Sequence, residues 1–265
     1  MALAALGGIG AAQPVIERTR TQAVRADAQT FLVVDTSRSM LASSRPGTPT
    51  RFDRARAAAI RFRDALPEVS VGLASLTDRV LPLVFPTTSR DTIESALRLS
   101  LGVDRPPSSE GGGVLATNFG ALGAVASRNF FSGPARRLVI VFTDAETINY
   151  DEGRLSNAFT DGRAELLVVR VWREGERVFG PGGAPEPYRP DPSSAASAQQ
   201  LAELVEGRAF DEDEVDQALG AAREMIGEGG TVIQVEKATI EPLGPYVFLA
   251  GLIPLGFLLS RRNFA

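Results

Sequence analysis

Asp35, Ser37 and Ser39 form a D-x-S-x-S motif directly after an apolar, β-branched run, Gln29–Val34. Thr117 lies 82 residues beyond Asp35, in an Ala116-Thr117-Asn118 loop, and Asp144 a further 27 on, in Thr143-Asp144-Ala145-Glu146 after the run RLVIVF. Asp35, Ser37, Ser39, Thr117 and Asp144 supply two carboxylates and three hydroxyls, an oxygen set suited to a hard divalent cation. Magnesium takes only one or two carboxylates and keeps several waters, so this number of donors is sensible. The composition points the same way. With no histidine and no cysteine in 265 residues, a Ser-His-Asp triad, a thiol nucleophile, a His- or Cys-ligated zinc and an iron–sulfur cluster are all excluded. Any metal here is bound by oxygen, as Mg²⁺, Mn²⁺ or Ca²⁺ are. A net charge of -4 argues against nucleic acid as a partner, since that needs a basic footprint.

Each of these residues also has an ordinary structural role open to it. Asp35 can cap a turn, and Ser37 and Ser39 can satisfy loop backbone groups. Thr117 can be the N-cap of a helix that begins near Phe119. Asp144 can cap a short helix with Glu146 in its first turn. The convergence of all three segments, on strand ends or the loops beside them, favours a shared site.

The elements that must position them alternate strand and helix. Strand patterns run over Gln29–Val34, Val69–Leu76, Val80–Val84, Arg137–Phe142 and Glu165–Val171, with a short one at Arg208–Phe210. Helical periods occupy Arg51–Leu66, Asp91–Leu99, Phe119–Arg128, Ser197–Glu206 and Glu214–Ile226. In the first of these, Phe52, Ala55, Ala59, Phe62 and Leu66 share a face, with arginines on the other. Leu101–Gly113 reads as a loop. Glu174–Ser194, with five prolines, is an irregular excursion that Trp172 and Phe179 pack. This order predicts an α/β fold, a doubly wound and mainly parallel sheet, whose working site lies beyond the carboxyl ends of the strands.

At these residues the chain resembles the von Willebrand factor A family, over about residues 29–226. D-x-S-x-S, the distant threonine and the final aspartate match the family's metal-ion-dependent adhesion site in order and in element. The resemblance implies that Ser37, Ser39 and Thr117 ligate a metal, Mg²⁺ in the first instance, with Asp35 and Asp144 bound directly or through water. An open coordination position would accept a carboxylate from a protein partner. Two positions depart from the pattern: Arg38 stands where a small residue is common, and Ala145 where glycine is. Arg38 would weaken the metal or add a second anchor for the incoming carboxylate, and its ordinary role is that of a solvated loop arginine.

Leu243–Ser260 is an eighteen-residue uncharged run followed by Arg261 and Arg262. It covers about 27 Å as a helix, close to a bilayer core of about 30 Å. We expect one membrane span there, the basic pair in the cytoplasm and the preceding domain outside the cytoplasm. A buried core helix is the alternative. Residues 1–28 read as an apolar stump and linker, residues 29–230 as the domain, 231–242 as a second linker, 243–260 as the span and 261–265 as a basic tail. Such an arrangement resembles bacterial Bat-type proteins, which implies partnership with a MoxR-type AAA+ ATPase and other membrane proteins carrying such domains, in assembly or envelope stress. The expectation is a non-enzymatic binding module with no catalytic residues. A Mg²⁺-dependent phosphatase competes with it, but the position two after Asp35 is Ser37 where that chemistry wants a second acid. A structural domain with a vestigial site is the third reading.

Overall fold

The computed structural model describes residue 8 and residues 12–13, 15–104, 116–126 and 130–263. These fall into two units, Val24–Val232 and a smaller one formed by the two chain ends. In the smaller unit, β1 (Val15–Arg25) pairs with a strand from the far end of the chain, β8 (Thr231–Pro242), where the sequence suggests linkers. Most of the apolar amino-terminal stretch lies outside the described residues.

In the larger unit, β2 (Ala28–Asp35) leads through a loop to helix α1 (Arg51–Ala65) and then to β3 (Ser70–Leu76). The next strand, β4 (Val80–Thr87), turns back antiparallel at the sheet edge, and α2 (Arg90–Ser95) follows. A short 3-10 turn, Phe119–Leu122, runs into α3 (Gly123–Ala126). This covers the first part of the helix expected over Phe119–Arg128; residues 127–129 lie outside the described ones, as do residues 105–113 of the expected loop. Then come β5 (Arg136–Thr143), α4 (Glu152–Gly162), β6 (Ala164–Arg170), α5 (Ser194–Leu204), β7 (Arg208–Asp211) and α6 (Val215–Ile226). Sequence periodicity passes over α4, whose inward face rests on only Leu155, Phe159 and Gly162. Its start is fixed locally: the Asp151 carboxylate accepts from the Arg154 backbone N–H at 2.9 Å.

The six strands lie in the order β4-β3-β2-β5-β6-β7, and every pair except β3–β4 is parallel. Strand β2 alternates its side chains across the sheet. Leu32 and Val34 join Phe62 of α1 and Phe142 of β5 on one face, while Phe31 and Val33 meet Phe119, Leu155 and Phe159 on the other. Burial on both faces is what a parallel sheet covered by helices requires. The chain leaves β2 toward β3 on one side and later returns to place β5 on the other. The carboxyl ends of β2 and β5 therefore flank a topological switch point, the crevice where open α/β sheets bind ligands.

Helix α7 (Gly244–Asn263) contains the apolar run near the carboxyl end. Its segment Gly244–Arg262 is long and apolar enough to cross a membrane, with mean hydropathy 1.3, and none of it is buried. Phe248, Ile253 and Phe257 are all exposed, so the alternative of a buried core helix is not what the structure shows.

Candidate metal centre

Asp35 ends β2 and is fully buried. Its Oδ1 accepts from the Ser37 backbone N–H at 2.8 Å, which closes the tight turn that the motif suggests. The Thr117 hydroxyl donates to Asp35 Oδ2 at 2.9 Å, and the Thr143 hydroxyl donates to the same oxygen at 2.6 Å. Thr117 is thus brought to Asp35 across 82 positions of sequence, and it is not the helix cap. Asn118 caps the turn at Phe119 instead, its Oδ1 accepting from Gly120 N at 2.9 Å. The Ser37 and Ser39 hydroxyls lie 3.0 Å apart, and the Ser39 hydroxyl supports the Asp144 carboxylate. All five sequence candidates are therefore joined at one point, at the carboxyl ends of β2 and β5.

Asp144 does not cap a helix. It sits in an irregular stretch after β5, its Oδ1 accepting from the Glu146 backbone N–H at 3.1 Å. Between them Ala145 takes φ +59° and is fully buried. A left-handed alanine costs about 1–2 kcal/mol. Burial of its methyl group returns roughly 0.8 kcal/mol, so alanine is tolerated where glycine is more usual.

Burial pushes the Asp35 carboxyl above its ordinary range, against the hydroxyls that hold it down. Asp144 is raised to about 6, first by burial and then by the Asp35 charge. Two desolvated carboxylates side by side, ringed by hydroxyls, form a donor set that fits an oxygen-seeking divalent cation. Among the described residues no three acids converge to hold an ion, so the hydroxyls of Ser37, Ser39 and Thr117 would have to complete the shell.

The side chain that most shapes this centre is absent from the sequence reading. Arg51, the first residue of α1, is fully buried. Its Nη1 donates to Asp144 Oδ2 at 2.8 Å, to Glu146 Oε1 at 3.0 Å and to the Tyr188 hydroxyl at 2.8 Å, while its Nε donates to Glu176 Oε2 at 2.8 Å. The rings of Trp172 and Tyr188 each lie 5.8 Å from its guanidinium carbon. Burial alone would lower the Arg51 pKa, but Asp144 and the other anions raise it on balance. Arg51 and Arg63 correct the expectation that the arginines of α1 face outward, since both are buried. Spacing held the clue: Arg51 stands four residues before Ala55, on the apolar face. The proline-rich excursion is not mere packing either. Through Glu176 and Tyr188 it closes over Arg51, and the Tyr188 hydroxyl donates to Glu146 at 2.6 Å.

Residues 30–146, which span all five candidates, match the sequence model of the von Willebrand factor type A domain. The larger unit carries the von Willebrand factor A fold. A crystal structure of BatB, a conserved hypothetical protein of Bacteroides thetaiotaomicron, superposes with a TM-score of 0.57 at 18% identity, covering 75% of this chain and 98% of that one. An aerotolerance-related membrane protein of Bacteroides fragilis gives 0.56 at 19%, with the same coverage. At such identities the likeness speaks for the fold. A UPF0353 protein of Mycolicibacterium paratuberculosis is 28% identical over 251 residues, 88% of this chain and 70% of the relative. Against a UPF0353 protein of a Mycobacterium species the match is 28% over 192 residues, 71% of this chain but only 56% of that protein. The chain thus spans 70% of the length of one of these relatives and 56% of the other.

Proposed function

We propose that this chain is a membrane-anchored, divalent-metal-dependent protein-interaction module that binds rather than reacts. The observation that carries the reading is the cluster of buried Asp35, Ser37, Thr117 and Asp144 with half-buried Ser39 at the switch point of the sheet. Mg²⁺ is the expected ion, with Mn²⁺ or Ca²⁺ as substitutes; it would supply a Lewis-acidic position for a carboxylate from the partner. The protein's own contribution is to hold the five side chains and neutralise part of their charge through Arg51. Helix α7 would anchor the domain in the cell membrane as a single span, with the domain on the extracytoplasmic side and Arg261 and Arg262 in the cytoplasm. A MoxR-type AAA+ ATPase and other membrane proteins with the same domain are the partners we propose, in complex assembly or an envelope stress response.

A second reading is favoured by one contact. Arg51 already pairs with Asp144, so an internal cation could make the site self-sufficient and the domain structural. Melting of the full chain in detergent separates the two. Millimolar Mg²⁺ should raise the melting temperature of the wild type, because a ligand at 100 times its Kd stabilises by about 2.7 kcal/mol. Asp35→Ala should abolish that response and reduce partner recovery from crosslinked membranes. No response of the wild type to Mg²⁺ or Mn²⁺ would leave the structural reading. Phosphatase turnover abolished by Asp35→Asn would replace both with an enzyme.

A further inference from the structure

Arg38 stands between Ser37 and Ser39, so its side chain departs from the rim of the oxygen cluster. There it already grips a carboxylate. Nη2 lies 2.5 Å from Glu186 Oε1 and Nε lies 3.1 Å from Glu186 Oε2, a forked pair, while Nη1 donates to Asp104 at 3.0 Å. Asp104 steadies one side of the guanidinium and leaves the Nε–Nη2 fork to Glu186. That fork is the geometry by which arginine recognises planar carboxylates.

Glu186 and Glu176 come from the same excursion but are bound very differently. Glu176 is buried, paired with Arg51 at 2.8 Å and with Arg54 at 2.7 Å. Removing it would leave buried guanidinium groups short of a counter-charge. At the Glu186 contact, Arg38 is 43% exposed and Glu186 24%. Such a pair contributes little to stability, because water and salt screen it. The backbone beneath Glu186 is fixed independently, by the Phe179–Pro185 bridge and by the Glu186 N–H donating to Val178 O at 2.8 Å. Exchange of the carboxylate on Arg38 therefore needs only side-chain rotation.

We propose that Arg38 is a carboxylate-binding position of the partner site, filled in the isolated chain by Glu186. The partner it fits is an acidic protein segment with two carboxylates close together, one for the metal and one for the Arg38 fork. Glu186 is then a built-in competitor that sets how acidic a segment must be to displace it. This deepens, and rests on, the reading of the cluster as a metal-dependent docking site.

The test uses the full chain in detergent micelles and a fluorescein-labelled hexaglutamate peptide, read by anisotropy in millimolar Mg²⁺ and again in EDTA. Glu186→Gln keeps the shape of the side chain but loses its charge, and should bind the peptide about three- to five-fold more tightly than the wild type, the range expected for removing one half-exposed ion pair. Adding Arg38→Gln to that variant should lose at least the whole gain, and Arg38→Lys, which has charge without the fork, should fall between. The proposal is overturned if Glu186→Gln binds no more tightly than the wild type, or not at all, or if the gain survives Arg38→Gln. Binding that needs Mg²⁺ but ignores both substitutions rejects the Arg38 position and keeps the metal. Binding that follows both substitutions equally in EDTA rejects the metal and keeps the Arg38 position.

Discussion

Arg51 Nη1 lies 2.8 Å from Asp144 Oδ2, and both side chains are fully buried. The pair joins the first residue of α1 to the loop after β5, so the helix that covers one face of the sheet is tied directly to the candidate metal centre. Removing one partner of such a pair leaves an uncompensated charge in the interior, at a cost of about 3–5 kcal/mol. Here Glu146 would lose its cation as well, and Glu176 would keep only Arg54 of its two.

Arg51→Met should accordingly destabilise the domain by about 3–5 kcal/mol. Each kcal/mol corresponds to roughly 2–4 °C in a domain of about 150–250 residues, so the melting temperature should fall by about 6–20 °C. Arg51→Lys should recover only part of this, because one ammonium cannot serve Glu176 through Nε and Asp144 through Nη1 at once. A loss below about 1 kcal/mol for Arg51→Met, measured by calorimetry, would mean that the network contributes no net stability.

Thr50 tests the same helix from its other contact. Its hydroxyl accepts from the Asp53 backbone N–H at 3.1 Å, and the Asp53 carboxylate accepts from the Thr50 backbone N–H at 3.0 Å, a reciprocal capping box. Thr50→Ala should cost about 1 kcal/mol, and Thr50→Ser should cost much less. Urea midpoints would show it. Equal losses from both would mean that the methyl group matters rather than the cap.

Asp35 and Asp144 were legible in the sequence because strand ends are local events, and Thr117 as an oxygen donor in the loop before a helix. An apolar run stops, a polar turn follows, and a parallel sheet gathers such turns at one edge. Arg51 was obscured because charge is normally read as exposure. Its burial depends on Glu176 and Tyr188, which arrive 125 and 137 residues later from an excursion without periodicity. The same holds for Glu186, whose place on Arg38 spans 148 positions. Helix α4 was passed over for a different reason: its inward face repeats at Leu155, Phe159 and Gly162, but only two of these are large and apolar, and Gly162 contributes contact without bulk.

Gly162 makes that last contact checkable. A Cβ there would run into the backbone carbonyl oxygen of Ala126 at the end of α3. Backbone cannot rotate away as a side chain can, so Gly162→Ala should destabilise by about 1–3 kcal/mol. Gly220, within α6, has nothing within 4 Å of the same added atom. Gly220→Ala should instead stabilise by about 0.4–1 kcal/mol, through reduced freedom of the unfolded chain. Chemical denaturation of both variants would give opposite signs. Stabilisation by both would indicate that α3 and α4 do not approach as closely as the structure shows.

Asp35 and Asp144 make opposite demands on the protein with and without an ion. Without one, two buried carboxylates repel, and Asp35 is held by Ser37 N and by the Ser37, Thr117 and Thr143 hydroxyls. Asp35→Asn removes the repulsion, and the threonine hydroxyls can turn to accept from the new amide. In EDTA the variant should therefore melt no lower than the wild type. In millimolar Mg²⁺ the order should reverse, because the wild type gains binding energy and the variant has lost an anionic ligand. A variant that melts far below the wild type in EDTA would mean that Asp35 serves chiefly as a hydrogen-bonded strut between β2 and β5. The crossing of the two melting curves with metal is what distinguishes a ligand from a strut, since a strut would be missed equally under both conditions.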